Sequence, residues 1–102
     1  MITLITDAEG AYPDASDERL GTLIDRIGDD VEFLIVERDD ASGFAQAIRK
    51  DGSFTVEYKD GADELWQGVT DDPAVVHQVL AGWAHDRAGW RDRVGWTSLG
   101  TF

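Results

Sequence analysis

The sequence predicts an α+β fold in which an antiparallel sheet of about five to six strands carries two main helices on one face. Two Asp-Gly pairs, at 51–52 and 60–61, separate three runs rich in β-branched and aromatic residues. Asp-Gly between such runs favours a hairpin, because a type I′ turn needs positive φ at both central positions. Segments beginning near residues 16 and 72 have the apolar spacing of helices.

The central meander is predicted to comprise strands at 44–50, 53–59 and 64–70. Because opposed residues share a face, a two-residue turn at 51–52 predicts three core-facing pairs: Arg49 with Phe54, Ala47 with Val56, and Ala45 with Tyr58. The second face then carries Phe44 and Ile48 among polar groups. With an even-length loop after Lys59, Trp66 would lie on this second face, whereas Leu65, Gln67 and Val69 would face the core.

The second face has two interpretations. A further strand or the C-terminal segment covers Phe44 and Ile48, or the face is a binding surface, because exposed apolar patches rimmed by polar groups mark interaction sites. Trp66 fits both interpretations, since Trp is enriched among the residues that dominate interface energies.

The residues before the meander predict a strand, a helix and a second strand. Residues 1–6 alternate as a short strand, and residues 7–15 form a loop. Ser16 is a suitable N-cap, and Gly28 a suitable C′ residue, for a helix with an apolar stripe at i, i+3, i+4 and i+7. The apolar run within 31–37 indicates a central strand covered on both faces for part of its length.

The residues after the meander predict one long helix and a packed tail. Asp71-Asp72-Pro73 is a helix start, with Pro at the first helical position. Its buried stripe would contain Trp83, and Gly82 would allow close packing on the sheet. In the tail, Trp90 lies on one turn of helix, and Trp96 begins a short strand; both rings are expected to pack against the body.

Composition narrows the class of protein. With 102 residues the chain is expected to form one domain, 1–102, and it contains no cysteine. The N-terminus lacks the pattern of a signal peptide, and no apolar run has the length of a membrane span. We therefore expect a soluble, cytoplasmic protein without a membrane partner.

Charge favours a protein partner. The chain has 21 acidic and 9 basic side chains, and 19 of the acidic ones lie within residues 1–72. A net charge of −12 repels nucleic-acid backbones, so nucleic-acid binding is not expected. The same field attracts a basic protein and speeds its encounter, or serves solubility alone.

Catalytic patterns are missing from the sequence. The two histidines, His77 and His85, lie eight residues apart, which excludes an i, i+4 metal pair. The acidic pairs lie in predicted turns, where Asp is favoured for local hydrogen bonding. We expect no enzyme activity, no metal and no cofactor.

The order of elements from residue 44 onwards resembles a family of small bacterial immunity proteins of polymorphic toxin systems. The resemblance rests on the strand at 44–47, FTVEY at 54–58, the strand with Trp66, the helix at 75–83 and GWRDRVGW at 89–96. Members of that family are paired with toxins of the nucleic-acid deaminase superfamily. The resemblance implies a non-enzymatic, cytoplasmic protein that binds a toxin and occludes its active site.

Together these observations predict an immunity protein that blocks a basic, nucleic-acid-acting toxin, either a deaminase or a nuclease. The predicted contacts share the second hairpin and its face: Phe44, Glu57, Asp60, Asp63, Glu64 and Trp66, with Asp39 and Asp40 as weaker candidates. Two alternatives remain open. One is an interaction or assembly module that forms a homodimer, and the other is a small-ligand-binding domain with a pocket lined by the Trp-rich C-terminal region.

Overall fold

The described residues 2–8, 10–38, 43–60 and 64–100 of a computed structural model contain seven strands, two α-helices and one short 3₁₀ helix. In chain order these are β1 (Ile2–Thr6), β2 (Gly10–Pro13), α1 (Asp17–Arg26), β3 (Phe33–Arg38), β4 (Gly43–Lys50), β5 (Ser53–Asp60), β6 (Trp66–Thr70), α2 (Pro73–Ala84), the 3₁₀ helix (Trp90–Arg93) and β7 (Thr97–Ser98). The predicted α+β class is confirmed.

All strands belong to one antiparallel sheet in the order β2-β1-β3-β4-β5-β6-β7. The sheet has more strands than predicted because β2 lies within the stretch that the sequence assigned to a loop. Gly10 and Pro13 indicate a turn, yet Pro13 is compatible with β2 because this strand is at the edge of the sheet.

The first meander turn has the predicted geometry. Asp51 and Gly52 have φ values of 53° and 85°, both in the left-handed region that a type I′ turn requires. The register that follows pairs Ala47 with Val56 and Ala45 with Tyr58. Local turn chemistry was therefore sufficient to predict which side of β4 and β5 is buried.

The face predicted for Trp66 is wrong. β5 continues through Asp60, and β6 begins at Trp66, which lies directly opposite Tyr58 on the buried side of the sheet. Consequently Gln67 and Val69 lie on the other side, opposite Glu57 and Thr55, rather than in the core. A one-residue difference in the length of the connection moves every side chain of a strand to the opposite face.

Helix α1 begins and ends where its capping residues predict. The Ser16 hydroxyl accepts a hydrogen bond from the Arg19 backbone N–H at 3.1 Å. The C-cap is Ile27, followed by Gly28 with a φ of 95°. The helix buries three apolar side chains: Leu20, Leu23 and Ile24.

Helix α2 packs beside α1 on the same side of the sheet. The Asp72 carboxylate accepts a hydrogen bond from the Ala74 N–H at 2.9 Å, and Pro73 occupies the first turn. The fully buried residues of α2 include Val76, Leu80 and Trp83. They join the strand residues in a single hydrophobic core.

The tail packs onto this core through an aromatic cluster. Tyr58, Trp90 and Trp96 meet edge to face, with ring centroids 4.9 Å apart for both Tyr58 pairs and 6.0 Å for the Trp pair. Gly82 of α2 permits close packing, but against Trp90 rather than against the sheet as predicted.

Strand β3 is central, lying between β1 and β4, but its burial alternates. Leu34 and Val36 are fully buried, whereas Phe33 and Ile35 are half-buried. The prediction that both faces of this segment are covered is wrong, since both helices pack on the side of Leu34 and Val36.

Candidate functional site

The side of the sheet opposite the helices, here called the open face, carries apolar side chains on β1, β3, β4 and β6. Every helix in the described part of the chain packs on the other side. The larger apolar members of the open face are Ile5, Phe33, Ile35, Phe44, Ile48 and Val69.

Strand pairing arranges these side chains in rows across the sheet. One row runs from Phe33 through Ile48 and Thr55 to Val69. The exposed fraction is 36% for Ile48 and 58% for Val69, values typical of surface residues rather than of a core. Three of the four side chains in this row are apolar, and exposed apolar side chains grouped on one face are typical of interaction surfaces.

The next row has a polar centre formed by Gln46, Glu57 and Gln67 on three adjacent strands. The Gln46 side-chain amide donates to Glu57 Oε1 at 2.7 Å, and the Gln67 amide donates to Glu57 Oε2 at 3.3 Å. All three side chains are half-buried. These two hydrogen bonds, here called the ladder, therefore fix the Glu57 carboxylate at the middle of the open face.

Acidic side chains gather at the end of the sheet where β1 and β6 finish and β3 begins, here called the acidic end. Antiparallel pairing brings the turns after β1, β4 and β6 to this end, together with the segment before β3. Its exposed acidic residues are Asp7, Asp29, Asp30, Glu32, Asp51, Asp71 and Asp72. Arg49 and Lys50 are the basic residues of β4 at this end.

Local hydrogen bonds organise the acidic end. Asp7 Oδ1 accepts the backbone N–H groups of Glu32 at 2.8 Å and Phe33 at 3.3 Å. The Glu32 hydrogen bond is the main reason that the pKa of Asp7 lies below its usual value. The Arg26 guanidinium likewise lowers the pKa of Asp30 through a hydrogen bond of 2.6 Å. These carboxylates are therefore charged at neutral pH.

The predicted site residues do not all lie on one surface. Phe44 and Glu57 lie on the open face, as predicted. Glu64 is exposed just before β6 and accepts a hydrogen bond of 2.6 Å from the Ser98 hydroxyl. Trp66 is half-buried against the core on the helix side.

The remaining predicted acidic contacts are only partly described. Asp60 ends β5, where its backbone pairs with Gly43. Three other candidates lie outside the described residues: Asp39, Asp40 and Asp63.

The acidic end was missed from the sequence because its residues are scattered between positions 7 and 72. The pairs Asp29-Asp30 and Asp71-Asp72 were visible as turn signals, but only the strand order brings these turns together. Antiparallel neighbours each reverse direction, so alternate turns of a meander share one end of the sheet.

No protein-family model, curated protein or solved structure matches this chain. The immunity-protein resemblance therefore stays a prediction.

Metal-binding clusters and membrane-spanning helices were not found among the described residues. Within residues 2–8, 10–38, 43–60 and 64–100, no group of three or more His, Cys, Asp or Glu side chains has a metal-binding arrangement. None of the described helices combines the length and the apolar character that crossing a bilayer requires.

Proposed function

We propose that this protein is an immunity protein that acts in the cytoplasm by binding and blocking a basic, nucleic-acid-acting toxin domain, a deaminase or a nuclease. The observation that carries this proposal is the apolar open face beside the acidic end, in a chain with a net charge of −12. Binding, rather than catalysis, is the activity of this surface.

Two physical terms support a basic protein as the partner. Burial of Ile48, Val69 and Phe44 supplies affinity, because apolar surface removed from water stabilises a complex. The acidic end supplies attraction at longer range, which raises the association rate for a basic partner. Enzymes that act on nucleic acids present basic surfaces to phosphates, so an acidic protein occludes the surface they need.

A second copy of this chain would also cover the open face, as in the homodimer alternative. Two copies each carrying a net charge of −12 repel one another. A two-fold pairing of open faces would additionally bring a Glu57 from each copy into one interface that excludes water. The charge therefore favours a basic partner over a second copy.

The test uses the gene beside the one that encodes this chain. This neighbouring gene is expected to encode a secreted multidomain protein with a basic C-terminal toxin domain. Purified toxin domain should lose its activity on nucleic acid when this protein is added in equimolar amount. A strain that lacks this protein should stop growing beside siblings that produce the toxin.

Two variants with the same change in net charge locate the surface. Glu37→Lys changes an exposed position on the open face, and Asp25→Lys changes an exposed position on α1, on the far side of the sheet. Glu37→Lys should weaken toxin binding much more than Asp25→Lys. Absence of a basic toxin domain, failure to inhibit it, or sedimentation as a tight dimer in place of a toxin complex would each contradict the proposal.

A further inference from the structure

We infer that Glu57 is the docking point for an arginine side chain of the partner, an inference that rests on the proposed function. Glu57 lies on β5 with β4 on one side and β6 on the other, so its carboxylate is surrounded by the open face.

The ladder leaves the carboxylate ready to accept two further hydrogen bonds. Among the described residues its hydrogen-bond donors are the amides of Gln46 and Gln67, one on each oxygen. A carboxylate has about four lone-pair sites, so each oxygen keeps one. Because the two amides come from opposite sides, they also stop the carboxylate from rotating.

Burial of the Glu57 carboxylate by a partner is unfavourable unless a cation lies beside it. A partner that covers the apolar rows also removes water from the half-buried Glu57 carboxylate. A buried charge without a counter-ion strongly destabilises a complex, so a purely apolar partner surface does not fit. The open face therefore favours a partner with a positive charge opposite Glu57, in addition to Lys59, which lies two residues along β5 on the same face.

Arginine fits this position better than lysine. A guanidinium offers two parallel N–H groups, which match the two oxygens of one carboxylate, whereas an ammonium is a point charge. Phe44 lies two residues from Gln46 on β4, within reach of a side chain docked at the diagonal neighbour Glu57. The ring of Phe44 also lies directly opposite Lys59, so the choice of arginine rests on the carboxylate geometry and not on this ring.

The first experiment needs no toxin. The side-chain amide signals of Gln46 and Gln67 are followed by NMR while Nα-acetyl-arginine amide is added at constant ionic strength. We expect saturable shifts of both signals, and weaker shifts with Nα-acetyl-lysine amide. Glu57→Gln should abolish the arginine response. Equal responses to the two probes, or shifts that survive Glu57→Gln, would overturn the inference.

The matched control is Glu37→Gln, which removes one negative charge from an exposed position on the same face. Both variants change the net charge by the same amount, so a difference between them reports the direct pairing of arginine with Glu57. Thermal unfolding of both variants checks that the fold is retained.

The second experiment uses the toxin domain. Because a hydrogen bond to a charged group contributes about tenfold to a hundredfold in affinity, Glu57→Gln should raise the Kd of the complex by that factor. Glu37→Gln should change the Kd less than Glu57→Gln. If the toxin binds and Glu57→Gln leaves the Kd unchanged, the arginine site is wrong and the proposed function stands. If the toxin does not bind the unaltered protein, the proposed function fails, whatever the arginine probe shows.

Discussion

Trp90 lies against the backbone of Gly82 so closely that a methyl group on Gly82 would overlap with the indole. Trp90 in turn contacts Tyr58 of β5 at a ring-centroid distance of 4.9 Å. The absence of a side chain at one position of α2 therefore allows the tail to cover the end of the meander.

The Gly82 contact predicts the effect of Gly82→Ala on stability. Alanine has the higher helix propensity, but its Cβ would displace Trp90, and overpacking of this kind costs about 1–3 kcal/mol. We expect the free energy of unfolding, measured by urea denaturation, to fall by that amount. Gly21→Ala in α1 is the control, because no atom outside the adjacent residues and the helix's own backbone lies within 4 Å of the added Cβ. It should stabilise the protein by about 0.5–1 kcal/mol, and equal effects of the two variants would contradict the packing argument.

The loss of stability caused by replacing glycine with alanine should be larger in the Asp51-Gly52 turn than at a glycine without positive φ. Gly52 has a φ of 85°, a conformation that costs a residue with a Cβ about 1 kcal/mol or more. Gly52→Ala should therefore lower the free energy of unfolding by about that amount. Gly95→Ala is the comparison and should cost less, because no atom beyond the adjacent residues lies within 4 Å of the new Cβ. An equal or greater loss with Gly95→Ala would count against the turn strain.

The open face predicts that valines on the two sides of the sheet respond differently to threonine. Val56→Thr places a hydroxyl in the fully buried core, which should cost about 1–3 kcal/mol of stability. Val69→Thr makes the same change at a residue that is 58% exposed, and it should alter the free energy of unfolding by less than about 0.5 kcal/mol. A large loss of stability from Val69→Thr would mean that the open face is covered.

The contact between the helices predicts a loss of stability in acid. Asp17 at the start of α1 binds Arg87 at 2.8 Å and His85 at 3.0 Å. The hydrogen bond from Arg87 is the main cause that lowers the pKa of Asp17. The pKa of Asp17 is lower in the folded protein than in the unfolded chain. The contact therefore contributes its full stabilisation above the unfolded-state pKa, and this stabilisation disappears as the pH falls through the folded-state pKa.

Asp17→Asn tests this pH dependence. At neutral pH the variant should lose less than about 1 kcal/mol of stability, since the pair is partly exposed and screened by solvent. As pH falls from about 4, the difference from the unaltered protein should shrink towards zero. Asp25→Asn, at an exposed position on the same helix, should retain the acid dependence of the unaltered protein. A difference for Asp17→Asn that stays constant from neutral pH into acid would refute the linkage.

Local sequence signals determined the elements and several of their boundaries. The Ser16 and Asp72 caps, Pro73, and the Asp51-Gly52 turn each act through hydrogen bonds or dihedral angles within a few residues. Their consequences were therefore readable without the fold. The α+β class and the register of the first hairpin followed from them.

Tertiary structure alone decided which side of the sheet Trp66 occupies and where the acidic turns meet. The connection after β5 sets the register of β6, and a shift of one residue there exchanges the two faces, which no pattern within either strand reveals. The acidic end likewise depends on strand order, because its residues come from turns far apart in the chain. Short-range interactions determine where a chain turns, whereas the packing of the whole sheet determines which turns become neighbours.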